Sequence, residues 1–452
     1  MIQAEKVTRF FTRISPELLD RAIKFLACNR SFHNLLIKSE QKKLKGLNHP
    51  EKILVVPDIN IGDALILQSF ILSVKEYFPG SKIHYIYQHK AFPLIKNNPY
   101  ITEHFPLFRG KGIPTEKDVR NLIRILHQHR YDLIVNICPY FSPKFFKNHT
   151  RVVHSLRFLS DVIKGYTEDK RKAHIAFHAG HYAAELAGEI SGDNEHKNDS
   201  SRYNTFIFAG PDLVHRSEKA IRKLNIDPEK TILLFNPDSA SLFTFIPIDI
   251  QLELLKGILS MEPVEQLLIN CGRTFKDIEK SILNSLPVDL KRKIIIIPEN
   301  IPIDVYSVIS DLAEMFISGD TGPMHIAAAR KILVGSPGYF NNSTALVEIF
   351  GATSSKIYGY DSFSAGHLSP AQNAPAKVFE GNPSCKNLTC IDKIYKRCKQ
   401  IRCFEGLDCC EILNYIESYL RYRKIESQPV SAAAFNPFKN IEHHRYTKEE
   451  EG

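Results

Sequence analysis

The sequence predicts an α/β protein made of two doubly wound domains of similar size. Three observations predict it. From residue 51 onward, short apolar runs of strand length alternate with amphipathic stretches of helix length. A polar stretch, GEISGDNEHKNDSSRYN, interrupts the alternation, which then begins again. The chain's 452 residues suffice for two ordinary domains plus extensions.

The elements follow in order. Residues 1–50 read as a helical, basic extension, because LLDRAIKFLA and FHNLLIKSEQKKLKGL carry apolar residues at three- and four-residue spacing. That extension suits either a packed terminal cap or a basic surface for anionic lipid. KILVVP is a short buried strand, and INIGDALILQSFILSVKEYF follows as one helix with Ala64, Leu67, Phe70, Ile71, Val74 and Phe78 on its inner face. KIHYIY is a strand, AFPLIKNNP a short helix and turn, NLIRILHQHR a helix and YDLIVNIC a strand. Strands that alternate with helices make a parallel sheet covered on both faces. The stretch of about 140–205 is less regular.

The second set runs TILLFNP (strand), IDIQLELLKGILS (helix), EQLLINCG (strand), FKDIEKSILNSL (helix), KIIIIP (strand), IDVYSVISDL (helix), EMFISGD (strand) and TGPMHIAAAR (helix). CEILNYIESYLRYRKI is a last helix, and the polar end is expected to be disordered. The divisions are therefore 1–50, a first domain at 51–205, a second at 206–380, a Cys-rich segment with its helix at 381–425, and a tail at 426–452.

Composition bounds the function. With 43% hydrophobic and 24% charged residues the chain reads as soluble and globular. A net charge of +9 suits a partner with phosphates or an anionic membrane face, and equally a solvated basic surface. No basic run is interleaved with aromatics, so nucleic acid is not an expected partner. No apolar run approaches membrane-spanning length and the N-terminal residues lack a signal core, so a cytoplasmic protein is expected, with peripheral contact at a membrane face.

Two motifs carry chemistry, both at strand ends, where ligands of open α/β sheets bind. In GDTGPMH, Asp320 ends a strand and Thr321 begins a turn. Gly322 permits close approach of a ligand to the backbone, and Pro323 suits a first helical turn. Free N–H groups and the helix dipole there favour a diphosphate. A capped helix without a ligand accounts for the same residues. In PDINIGDAL, Gly62 permits a tight turn and Asp63 would project into the cleft as a general base, or act as an N-cap.

Six cysteines crowd one stretch: Cys385, Cys390, Cys398, Cys403, Cys409 and Cys410. Of these, Cys385, Cys390, Cys403 and Cys409 are the best set for one structural zinc or iron ion; free buried thiols and disulfides are the other readings.

In order and spacing, ILVVPDINIGDALILQSFILSVKEYFPGSKIHYIY, NNPYI, YDLIVNI, NPDSA and DVYSVISDLAEMFISGDTGPMHIAAA resemble glycosyltransferase family 9, the bacterial lipopolysaccharide heptosyltransferases, over about residues 51–365. The resemblance implies a GT-B fold, two Rossmann-like domains facing across a cleft. It implies an inverting transferase that needs no catalytic metal and no cofactor. Such an enzyme moves a sugar, heptose from ADP-heptose, onto a lipid-linked or glycan acceptor such as the lipopolysaccharide core, at the cytoplasmic face of the inner membrane. Asp63 resembles the family's general base, and Gly62, Asp320, Thr321, Gly322, His325 and Asn236 resemble its donor-binding residues.

One segment departs from the family pattern. Asp238 follows Asn236-Pro237, and Thr244-Phe245-Ile246-Pro247 stands where the family has a basic-aromatic element whose lysine helps hold the donor phosphates. A diphosphate beside an unpaired carboxylate is unfavourable. Arg273 could supply the missing charge, or be an ordinary surface arginine. The alternative function is therefore an inactive relative that binds a nucleotide-sugar or acts as a scaffold.

Overall fold

A computed structural model of the chain describes residues 30–57, 60–108, 115–137, 146, 151–154, 175–191, 205–239, 244–270, 272, 275–334, 339–340, 344–361, 376–382 and 402–426. The first half runs α1 (Arg30–Leu44), β1 (Lys52–Val56), α2 (Ile61–Ile66), α3 (Gln68–Tyr77), β2 (Lys82–Gln88), α4 (Phe92–Ile95), β3 (Glu103–Phe108), α5 (Glu116–Gln128), β4 (Leu133–Asn136), β5 (Val152–His154) and α6 (Ile175–Ser191). Its five described strands form one parallel sheet in the order β3-β2-β1-β4-β5.

The second half runs β6 (Phe206–Ala209), α7 (Pro211–Lys223), β7 (Ile232–Asn236), α8 (Ile248–Ser260), β8 (Gln266–Asn270), α9 (Phe275–Ser285), α10 (Val288–Lys291), β9 (Ile294–Ile297), α11 (Ile303–Ser310), β10 (Met315–Gly319), α12 (Gly322–Ala328), β11 (Arg330–Leu333), β12 (Tyr339–Phe340), β13 (Ala345–Phe350), α13 (Ser355–Tyr358), β14 (Ala376–Glu380) and α14 (Cys409–Glu426). Six of its described strands form a parallel sheet in the order β14-β13-β10-β7-β8-β9. A small third sheet pairs β11 with β6 in parallel and with β12 antiparallel.

Each central strand is apolar along its length because helices cover both faces. Ile53, Leu54, Val55 and Val56 of β1 and Met315, Phe316 and Ile317 of β10 are all completely buried. Each such side chain contributes about 1.5–3 kcal/mol relative to leaving it exposed. The predicted inner face of the first helical stretch is confirmed: Ala64, Leu67, Phe70, Ile71, Val74 and Phe78 are all buried.

Several expectations need correction. The stretch read as one helix is two, α2 and α3, joined at Leu67. GEIS, assigned to the polar interruption, is the last turn of α6, whose alanines and Tyr182 lie buried in the core shared with α3. The helix read through Arg330 ends at Ala328. Ala329 turns extended, and Arg330 opens β11, its N–H donating to the Thr205 carbonyl. Strand β3 was not foreseen because it contains Pro106, which an edge strand tolerates.

Both described ends of the chain are packed. Leu44 and Leu47 are buried, Lys43 Nζ donates to the Val152 carbonyl at 3.1 Å, and Tyr182 Oη donates to Glu40 at 3.3 Å. At the other end, Ile412, Ile416 and Leu420 of α14 join the core under the second sheet.

Candidate functional site

Strands β1 and β10 are the central strands of the two large sheets, and each ends in a short helix, α2 and α12. These two helices meet. A Cβ added to Gly62 would lie 2.6 Å from His325 Cδ2, and one added to Gly322 would lie 3.4 Å from Ile61 Cβ. Gly62 thus lets the halves approach each other, whereas at Gly322 a Cβ would make only ordinary contact.

Asp63 is not the N-cap of α2. Asn60 holds that position without a side-chain capping bond, and Asp63 falls in the first turn, half-buried. Asn60 Nδ2 donates to Asp63 Oδ2 at 2.8 Å, so the carboxylate is oriented by a neighbour while a helix N-terminus favours its charge. On β2, burial raises the Tyr85 hydroxyl above the ordinary phenol range, and the Asp63 charge adds to the effect.

In the GDTG turn, Thr321 is the N-cap of α12, with Pro323 just inside. Its Oγ1 accepts from the Met324 N–H at 3.5 Å and from Asn236 Nδ2 at 3.2 Å, and lies 3.0 Å from Ser318 Oγ. Asn236 is buried, and its Nδ2 also donates to the Asp238 carbonyl at 3.1 Å. Its Nδ2 also donates to Ser318 Oγ at 2.9 Å, and Asn270 Nδ2 donates to its Oδ1 at 2.8 Å. Asn236, Ser318 and Asn270 therefore fix the turn from beneath.

His325 is buried and held from both sides. Its Nδ1 is 2.7 Å from the Tyr360 hydroxyl, and its Nε2 is 3.5 Å from Asp320 Oδ1. Tyr360 is completely buried, and its own N–H donates to both oxygens of the buried Glu348 carboxylate, at 3.1 and 2.9 Å. Burial raises the Tyr360 hydroxyl well above the ordinary phenol range. A Thr205 hydrogen bond opposes that shift, while the Glu348 and Asp320 charges add to it. In the tautomer that carries its proton on Nε2, the ring accepts from the Tyr360 hydroxyl at Nδ1 and turns its N–H toward Asp320.

The segment that departs from the family pattern borders this turn. Thr244 is buried, its hydroxyl 2.5 Å from Ser239 Oγ, and its carbonyl would lie 2.8 Å from a Cβ on Gly319. Asp238 stands so close to Gly272 that a side chain there would collide with it. Residues 236–247 contain neither lysine nor arginine.

Arg273, Cys385 and Cys390 lie outside the described residues. Cys403 and Cys409 are buried in one apolar cluster. Burial pushes the Cys409 thiol up to about 12, with the nearby Glu253 carboxylate adding to it. Two such thiols do not by themselves make a metal site. Sequence reasoning missed Tyr360, Glu348, Ser318 and Asn270. A carboxylate inside the apolar run ALVEIF was the one available signal, and it marks Glu348.

No protein-family model matches the chain. Among curated proteins, a 78-residue stretch is 32% identical to lipopolysaccharide heptosyltransferase 3 of Escherichia coli; it covers 17% of this chain and 23% of that protein's length. Two solved structures share the fold. Glycosyl transferase family 9 from Veillonella parvula aligns over 82% of this chain and 98% of its own, with 14% identity and a TM-score of 0.56. The E. coli ADP-heptose LPS heptosyltransferase II aligns over 82% and 99%, with 15% identity and a TM-score of 0.53. The fold is therefore GT-B, that of these two family 9 glycosyltransferase structures, and one 78-residue stretch of the chain is similar in sequence to a heptosyltransferase.

Proposed function

We propose that this chain is an inverting glycosyltransferase that moves a sugar, heptose from ADP-heptose, onto a hydroxyl of a lipopolysaccharide core or another surface glycan. One observation carries the reading. The Gly62-Asp63 element at the end of one central strand is packed against the Asp320–His325 turn at the end of the other. A general base and a donor-binding turn from separate domains would have to meet in this way.

In this reading Asp63 takes the proton from the acceptor hydroxyl. The freed oxygen pair attacks the anomeric carbon from the face opposite the diphosphate. The bond from that carbon to the diphosphate oxygen breaks, its electron pair leaves with the diphosphate, and the configuration inverts. Thr321 and the backbone of the turn hold the departing group, and His325 is fixed for the same donor by Tyr360 and Asp320. Pro323 has no N–H and that of Met324 goes to Thr321, so the turn alone supplies few donors. Arg273, three residues after β8 in the sequence, is the residue we assign to supply the charge that residues 236–247 lack. The transfer uses no metal or cofactor. The acceptor is lipid-linked or a glycan, met at the cytoplasmic face of the inner membrane. Among the described residues, no helix is long and apolar enough to cross a membrane.

The departure at Asp238 and Thr244 favours a second reading, a relative that binds a nucleotide-sugar without turning it over. Calorimetry against ADP, UDP, GDP and their sugar conjugates, with release of nucleotide measured alongside, separates the two. Transfer or donor hydrolysis that Asp63→Ala abolishes, with binding retained, supports the enzyme. Binding without turnover in any acceptor extract supports the scaffold, and no binding of any nucleotide rejects both.

A further inference from the structure

A second cluster lies at the opposite, amino-terminal end of the first sheet, away from α2. His84 is the third residue of β2, Glu103 opens β3, and the two are register partners. His129 caps the carboxyl end of α5, which lies over the same sheet face. The imidazole rings of His84 and His129 are 5.0 Å apart, edge to face. One ligand atom from each of His84, Glu103 and His129 lies within 4.8 Å of the other two.

The separation of His84 and Glu103 suits an ion pair and a shared metal ion alike, and not a hydrogen bond. His84 Nε2 is 3.6 Å from Glu103 Oε2, too far for a hydrogen bond. Two ligands at about 2.1 Å from a tetrahedral zinc ion stand about 3.4 Å apart. His84 is buried, whereas Glu103 is exposed and His129 is half-exposed, so an ion could enter from the solvent side. The other ring nitrogen of His84 is already engaged, with Nδ1 3.1 Å from the Tyr131 hydroxyl. In the tautomer that carries its proton on Nδ1, that N–H donates to Tyr131 and Nε2 is unprotonated and aimed at Glu103, the orientation that metal-bound histidines take from a neighbour.

We propose that His84, Glu103 and His129 bind a divalent transition metal ion, zinc by its ligand preference, with water completing a tetrahedral shell. The ion would tie β2, β3 and the end of α5 together at the edge of the sheet. It takes no part in the sugar transfer proposed above, and its fate does not depend on that reading.

The test uses the full chain stripped of metal and titrated with Zn2+ by calorimetry, and with Co2+ by absorption. His129→Ala and Glu103→Gln are the variants, because neither side chain is fully buried and both should fold. Wild type should bind one equivalent more than His129→Ala. Glu103→Gln should bind that equivalent roughly tenfold or more weakly. The wild-type-minus-variant Co2+ spectrum should show tetrahedral ligand-field bands with no thiolate charge-transfer band, which separates this site from the cysteines. Zn2+ should raise the melting temperature of wild type more than that of His129→Ala. Equal stoichiometry and equal thermal shifts in all three proteins, or a difference spectrum with the thiolate band, would overturn the proposal.

Discussion

The imidazole of His325 lies directly over Gly62, across the meeting point of the two halves. A Cβ on Gly62 would stand 2.6 Å from Cδ2 and 3.2 Å from Nε2. The ring has little room to retreat, with Tyr360 at 2.7 Å on one side and Asp320 at 3.5 Å on the other. Two effects compete in Gly62→Ala. Alanine is the better helix former by about 1 kcal/mol. Overpacking a fixed contact costs about 1–3 kcal/mol, and relief requires α2 and α12 to separate. The clash should win. The variant should melt a few degrees lower and lose at least about tenfold in sugar transfer or donor hydrolysis. A melting temperature at or above wild type with full activity would show that His325 moves aside freely.

Tyr360→Phe removes the hydroxyl that holds His325 Nδ1 and leaves a buried ring nitrogen short of a partner. The loss should be about 1–2 kcal/mol of stability. If His325 serves donor binding, KM for the nucleotide-sugar should rise severalfold while kcat stays within about twofold of wild type. Steady-state kinetics over a donor series reads this directly. A fall in kcat at constant KM would instead put His325 in the chemical step.

Much of this arrangement was legible in the sequence. Regular alternation of apolar strands and amphipathic helices predicts two parallel sheets, because strands covered on both faces must be apolar throughout. GD and DTG each read as a motif at a strand end, and the fold brings those two ends together. The sequence could not reveal what lies across the sheet from these motifs. Between Thr321 and Tyr360 lie α12, the three strands β11, β12 and β13, and α13, so only the fold brings the Tyr360 hydroxyl to His325. Asn270 and Ser318 look like ordinary polar residues at strand ends until the parallel register sets them beside Asn236. Strands β11 and β13 were missed because the preceding segments read equally well as helix or as loop. Small residues in α12 and α6 blur the periodicity that separates buried helix from strand.

Lys331 and Asp311 form an ion pair at 2.6 Å, with the lysine side chain 2% exposed. The ammonium also donates to the Ile326 and Ala327 carbonyls, at 2.8 and 3.3 Å, and so closes the carboxyl end of α12. Burial dominates both partners. It pushes the Asp311 carboxyl up to about 6 against the lysine's pull, and it lowers the Lys331 amine. Lys331→Met leaves a buried carboxylate unpaired and should cost about 3–5 kcal/mol. Pairing it with Asp311→Leu should recover most of that loss.

The same pair sets a pH dependence opposite to that of a surface salt bridge. The Asp311 pKa is raised on folding, so the native state binds more protons than the unfolded chain between about pH 4 and about pH 6. Its contribution to stability is fully present below that window and is lost as the pH rises through it. Other carboxylates titrate there too, so the test is the difference between wild type and Lys331→Met/Asp311→Leu in urea melts across that range. The stability of wild type relative to the double variant should increase on acidification. A difference that stays flat or falls on acidification would show that the lysine, not burial, controls Asp311.

Asp304 opens α11, with its side chain 4% exposed, and receives cations from both halves of the chain. Arg216 of α7 donates to both carboxylate oxygens, at 2.7 and 3.4 Å, and its Nε donates to Asp212 at 3.0 Å. Lys96, just after α4 of the first half, stands 3.7 Å away and is 31% exposed. These two contacts should differ in strength. The arginine fork is short, bidentate and closed off on the carboxylate side, so Asp304→Ala should cost about 2–3 kcal/mol. The lysine contact is long and half-solvated, so Lys96→Ala should cost under about 1 kcal/mol and vanish in 1 M salt, where the Debye length is about 3 Å. Urea melts of both variants at low and high salt check the contrast. A Lys96→Ala loss as large as that of Asp304→Ala, and insensitive to salt, would mean that the lysine contact is a desolvated tie between the two domains.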